Sequence, residues 1–147
     1  MDKGKKLAIG CDHAGYELKE TLKKYMEEKG YDMEDHGTYS DESTDYPEYA
    51  HAVANSVAQN NNVDQGILIC GSGNGISMAA NKHSGVRAAL CWEKEVAILA
   101  RQHNNANIVA LPARFVTTED AKTIVDAFIE EEFDGGRHQR RVDKIDE

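Results

Sequence analysis

Proline is nearly absent, with two in 147 residues, and no low-complexity tract is present. With 40% hydrophobic residues, the chain has enough apolar surface to offset the entropy of ordering, which argues against disorder. No apolar run approaches the roughly 18 residues that a membrane span needs. After the basic start Met1-Asp2-Lys3-Gly4-Lys5-Lys6, only Leu7-Ala8-Ile9 is apolar before Asp12 and His13 arrive. That is too short for a signal peptide, so a cytoplasmic protein with no membrane partner is expected. Cysteine is scarce and odd in number: Cys11, Cys70 and Cys91, none with a CxxC partner. A disulfide framework or structural zinc site is not expected from this pattern, and each thiol is either a small core residue or a reactive group. Basic residues are the minority, 17 against 26 acidic ones, for a net charge of −9. Nucleic acid is therefore disfavoured as a partner. An anionic ligand would need a local basic cluster, and one stands near the end: Arg137, His138, Arg140, Arg141 and Lys144.

What is present is an alternation of two hydrophobic periods. Lys6–Cys11, Tyr31–His36, Gln65–Cys70, Val86–Cys91 and Asn107–Leu111 read as short strands, the last closed by Pro112. Between them Tyr16–Lys29 carries Leu18, Leu22, Tyr25 and Met26 on one helical face, ended by Gly30. Tyr46–Asn60 places Tyr49, Val53 and Val57 at helical spacing, and a short helix is expected near Ile76–Asn81. Glu93–Asn104 sets Val96, Leu99 and His103 on one face, and Thr117–Phe133 is capped by Thr117. Such β-α-β units predict a five-stranded parallel sheet, doubly wound and Rossmann-like, with helices on both faces in a single domain. Gly135-Gly136 breaks the last helix, so residues 1–134 read as the domain and 135–147 as a basic C-terminal arm.

Ligands of such sheets bind beyond the carboxyl ends of the strands. Those ends carry Cys11-Asp12-His13, Cys70-Gly71-Ser72, Cys91-Trp92 and Pro112-Ala113-Arg114. The loop Gly71-Ser72-Gly73-Asn74-Gly75 can turn tightly and present N–H groups to an anion, or it can be an ordinary strand–helix turn. It fits neither the dinucleotide fingerprint nor a Walker A loop. Cys70 is either a small buried hydrophobe or a thiol activated by the dipoles around it. Asp12 can cap a helix, touch a ligand, or do both with different atoms. Arg137 and Arg141 would share a helical face suited to clamping a phosphate, or form a solvated tail. The lysines of the first helix and Glu130-Glu131-Glu132 read as solvated faces. His36 and His51 have no ligand partner at a telling spacing, so no metal site is expected.

Taken together, Gly10-Cys11-Asp12-His13-Ala14-Gly15, Asp45-Tyr46-Pro47, the run Ile69–Ser77, Ala79–Lys82, Arg101–Asn107 and Gly135–Arg141 resemble ribose-5-phosphate isomerase of type B, in the family that includes the galactose-6-phosphate isomerase subunits. The resemblance covers nearly the whole chain. It implies a sugar-phosphate substrate, no metal and no organic cofactor. It also implies a homodimer, in some members paired into a tetramer, whose active site lies at the subunit interface with the arm of one chain reaching its partner. By position, Cys70 matches the catalytic base and His103 the proton donor in ring opening. Asp12, His13 and Asn104 match substrate contacts, Gly71 to Gly75 the cradle of the enediolate oxygens, and Arg114, Arg137 and Arg141 contacts toward the phosphate. Tyr46 and His138 are further substrate-binding candidates. One branch of the family uses a glutamate just after the glycine loop as its base; this chain has Ile76 there, which indicates the cysteine mechanism. The alternatives are isomerisation of a six-carbon sugar phosphate, such as allose or galactose 6-phosphate, and a non-enzymatic nucleotide-binding module on the same sheet.

Overall fold

The computed structural model describes residues 5–58 and 63–147. Its elements follow the alternation: β1 (Lys6–Cys11), α1 (Tyr16–Glu28), β2 (Asp32–Asp35), α2 (Tyr46–Ala58), β3 (Gln65–Cys70), α3 (Asn74–Ala80), β4 (Ala88–Leu90), α4 (Lys94–Asn104), β5 (Ile108–Pro112), α5 (Thr118–Glu130) and α6 (Arg137–Asp143). All five strands pair in parallel in the order β2-β1-β3-β5-β4. Among the described residues no helix is long and apolar enough to cross a membrane. The expected end of the second helix, residues 59 and 60, lies outside the described residues.

The core divides at the sheet as a period of two requires. Leu7, Ile9, Ile67, Ile69, Val109 and Leu111 point to one face, where they meet α1, α4 and α5 through Leu22, Met26, Ala97, Ala100 and Phe128. Ala8, Leu68, Cys70, Ile108 and Ala110 point to the other face, against Ala50, Val53 and Ala54 of α2 and Ile76 and Ala80 of α3. Strands buried on both faces are uniformly apolar, which is why QGILIC and NIVAL stand out in the sequence. Thr117 caps α5 as expected, its side chain accepting from the Asp120 N–H at 3.0 Å.

Three expectations are corrected. The short third helix begins at Asn74, inside the glycine loop, because Gly73 at φ 78° makes the turn that starts it. The buried face of α4 is Ala97 and Ala100, while Leu99 stays 45% exposed; His103 therefore lies on the outward side, where α6 packs. Lys19 is not solvated. It is fully buried, and its Nζ lies 2.7 Å from Asp35 and 2.8 Å from Glu20, with Lys23 3.1 Å from Asp35. A buried ammonium is tolerable only with such partners. Burial acts against the charge, but the bonds to Asp35 and Glu20 outweigh it and hold the Lys19 pKa above its ordinary value. Glu131 is also engaged, accepting from Gln102 Nε2 at 2.7 Å.

Candidate active site

The strand order places a topological switch between β1 and β3: from β1 the chain runs outward to β2 on one side, while β3 lies on the other. Open α/β sheets part their loops at this point and leave a crevice beyond the carboxyl ends. A cavity of about 310 Å³ opens there. The end of β1 supplies Asp12, His13 and Ala14 to it; the end of β3 supplies Cys70, Gly71 and Ser72. Tyr46 at the start of α2, Gly75 in α3 and Arg114 beyond β5 complete the wall.

Each side chain is held by its local structure. Cys70 is 5% exposed, and its Sγ accepts a hydrogen bond from the Gly73 N–H at 3.2 Å. The loop can fold back so closely only because residue 73 has a positive φ and no side chain; a Cβ there would lie 2.4 Å from Leu90. Gly75 lets the Tyr46 ring lie close, since a Cβ there would stand 2.6 Å from that ring and push it aside. Burial pushes Cys11 and Cys91 each up to about 12, which makes them inert core residues.

Asp12 caps the single 3-10 turn at His13–Gly15: Oδ1 accepts from the Ala14 N–H at 3.0 Å and the Gly15 N–H at 3.3 Å. The same side chain lines the cavity, so both readings of Asp12 hold. His13 Nδ1 accepts from the Thr44 N–H at 3.2 Å. That bond assigns the proton of the neutral ring to Nε2. The Thr44 hydroxyl is buried beside it with no hydrogen-bond partner among the described residues. Thr44 was not legible as a site residue, because its contact with His13 joins segments that are remote in sequence. Arg114 is fixed by main-chain bonds that extend the β3–β5 pairing, Ala113 N–H to the Cys70 carbonyl at 2.9 Å and Arg114 N–H to the Gly71 carbonyl at 3.0 Å. Its guanidinium lies over Gly71, 3.0 Å from where a Cβ would stand.

The remaining candidates do not reach this cavity. Gly73 makes the turn beneath it. Asn74 borders a separate apolar groove with Leu90, Trp92, Pro112 and Phe115, and Asn104 borders a third one near Ile145. His103, Arg137, His138 and Arg141 form a second cluster at the end of α4. There the His103 and His138 rings stack with centroids 4.3 Å apart, and Arg137 and Arg141 share the exposed helix α6. Asp134 stands beside both histidines; its spacing to His138, four residues on, is local in the chain, whereas His103 is brought to it only by the fold. His51 and His83 also pair, Nδ1 to Nε2 at 2.6 Å.

The fold and the cavity define a class: a doubly wound α/β protein with a thiol, a carboxylate, an imidazole and a guanidinium around a small polar crevice at its switch point. The family model described as Ribose/Galactose Isomerase matches residues 7–145. Ribose-5-phosphate isomerase B of Escherichia coli is 52% identical over 141 residues, covering 96% of this chain and 94% of that protein. A crystal structure of a ribose 5-phosphate isomerase from Thermotoga maritima superposes with a TM-score of 0.93 at 56% identity, covering 96% of this chain and 97% of that one. One from Mycoplasma genitalium, with bound ribulose-5-phosphate, gives 0.91 at 48% identity over 95% and 93%. The chain belongs to the ribose/galactose isomerase family.

Proposed function

We propose that the chain interconverts D-ribose 5-phosphate and D-ribulose 5-phosphate through an enediolate. The observation that carries this reading is the Cys70 sulfur on the wall of a cavity of about 310 Å³ that Asp12, His13 and Arg114 also line. That volume is at the small end for ligand pockets, suited to a sugar phosphate and too small for a dinucleotide. An α3 of only seven residues, begun within the loop, further argues against the nucleotide-binding alternative.

The steps follow from the groups available. His103 gives a proton to the ring oxygen while Asp12 takes one from the anomeric hydroxyl, opening the ring to the aldehyde. The Cys70 thiolate removes the proton from C2; the C–H electron pair forms the C1=C2 bond and charge moves to O1. Donors of the glycine loop stabilise that oxygen. The O2 proton then passes to O1, and Cys70 returns its proton to C1, which leaves the ketone at C2. Arginines on the phosphate hold the reacting carbons against the sulfur.

In this reading His103, His138, Arg137 and Arg141 serve the cavity of a second copy of the chain, with the arm 135–147 as the contributing segment. Two features support that arrangement. These residues lie outside their own chain's cavity, and Trp92 and Phe115 are 55% and 75% exposed in the apolar groove beside the glycine loop. Large exposed aromatics of this kind mark association surfaces.

The test is a panel of five- and six-carbon aldose phosphates with product identification. Conversion of ribose 5-phosphate to ribulose 5-phosphate by this chain alone is expected. Turnover confined to allose or galactose 6-phosphate would replace the substrate assignment.

A further inference from the structure

Three side chains that isomerisation does not use as a set converge on the outer side of α4. His103 leaves its last turn, and Asp134 and His138 come from the segment after α5. The turn at Gly135-Gly136, with φ 71° and 57°, reverses the chain. The Asp134 N–H donates to the Gln102 carbonyl at 3.0 Å and fixes that residue against the helix end. The His138 ring is thereby laid on His103, with the planes 11° from parallel. One ligating atom from each of the three lies within 4.8 Å of the other two.

We propose that His103, Asp134 and His138 bind a divalent transition ion of the zinc class, and that occupancy withdraws His103 from ring opening. The second half rests on the role assigned to His103 above; the first does not.

Two imidazoles and one carboxylate are the donor set that a borderline ion takes while keeping a fourth position open. Magnesium and calcium prefer oxygen throughout. An imidazole binds an ion in the plane of its ring at about 2 Å, so the stacked His103 and His138 rings must turn out of parallel and the three donors must draw together; the half-exposed histidines and the exposed Asp134 leave room for that rotation. The exposed pair His51 and His83 is in no such three-donor group among the described residues, and it serves as the internal control.

The experiment titrates metal-free protein with Zn²⁺ by calorimetry and with Co²⁺ by visible absorption. One ion per chain is expected in the wild type and in His51→Gln. Affinity falls about tenfold or more in Asp134→Asn and His138→Gln, and the tetrahedral cobalt bands weaken in the same two variants. In turnover assays Zn²⁺ inhibits the wild type, and Asp134→Asn, which keeps its activity, needs about tenfold more zinc for the same inhibition. Undiminished binding in Asp134→Asn and His138→Gln, loss of binding in His51→Gln, or a thiolate-to-cobalt charge-transfer band would overturn the site. Bound zinc without effect on turnover would overturn the inhibition. Because binding is read without substrate, an inactive protein that still binds zinc would sink the proposed function and leave the site standing.

Discussion

The Cys70 sulfur accepts the Gly73 N–H at 3.2 Å, so the thiol and the turn of the glycine loop form one unit. On the proposed function, replacing the thiol removes the base, while Gly73 at φ 78° keeps the turn of the loop in place. Cys70→Ala should lower kcat by about a thousandfold, within the range a general base supplies, with KM for ribose 5-phosphate little changed. Steady-state kinetics with circular dichroism as a folding control checks this, and near-normal turnover would rule out Cys70 as the base.

Gly75 and Tyr46 test the wall of the cavity. A methyl at residue 75 would stand 2.6 Å from the Tyr46 ring, so Gly75→Ala must displace that ring. A stability loss of about 1–3 kcal/mol is expected, together with a raised KM. The double variant Gly75→Ala/Tyr46→Ala should recover the stability lost to overpacking without recovering KM. Denaturant titration and kinetics on the two proteins separate these effects.

The division of site residues into two clusters predicts complementation. Arg137→Ala and Cys70→Ala chains are each expected to be impaired, the first mainly in KM through lost phosphate contact. On the proposed two-chain site, co-refolded mixtures should regain activity, because each mixed pair of chains would restore one cavity with wild-type residues from both. No recovery would place Arg137 outside the shared site.

The buried Lys19–Asp35 pair sets a stability and a pH dependence. Lys19→Ala leaves Asp35 with Lys23 and the Gly37 N–H and is expected to cost about 3 kcal/mol, at the low end for a broken buried pair. Burial raises the Asp35 pKa, but hydrogen bonds from Lys19, the Gly37 N–H and Lys23 outweigh it, and the net shift is below the ordinary value of 3.8. A carboxylate with a depressed folded pKa contributes stability that is complete above its unfolded pKa. That stability is lost as pH falls through the folded value. Unfolding midpoints of the wild type should therefore drop below about pH 4, and the drop should be shallower in Asp35→Asn. Lys19, held above 10.5, has the opposite sign: its contribution is complete below that value and is lost as pH rises through the folded pKa.

The sequence by itself determined the order of elements and the position of Cys70 at the end of β3, because hydrophobic period and glycine punctuation are local properties of the chain. The thiol, the glycine loop and Arg114 were legible for the same reason: each terminates a strand. Tertiary structure alone decided the order β2-β1-β3-β5-β4, and with it the switch point where Asp12 and Cys70 share a cavity. It also buried Lys19, which reads as an ordinary surface lysine until Asp35 on β2 is brought beside it. It turned His103 outward onto His138 and Asp134, where helical spacing alone had set it with Leu99 on an apolar face. These relations depend on which elements pack together, and a pattern within one segment carries no information about a partner that the fold supplies from elsewhere.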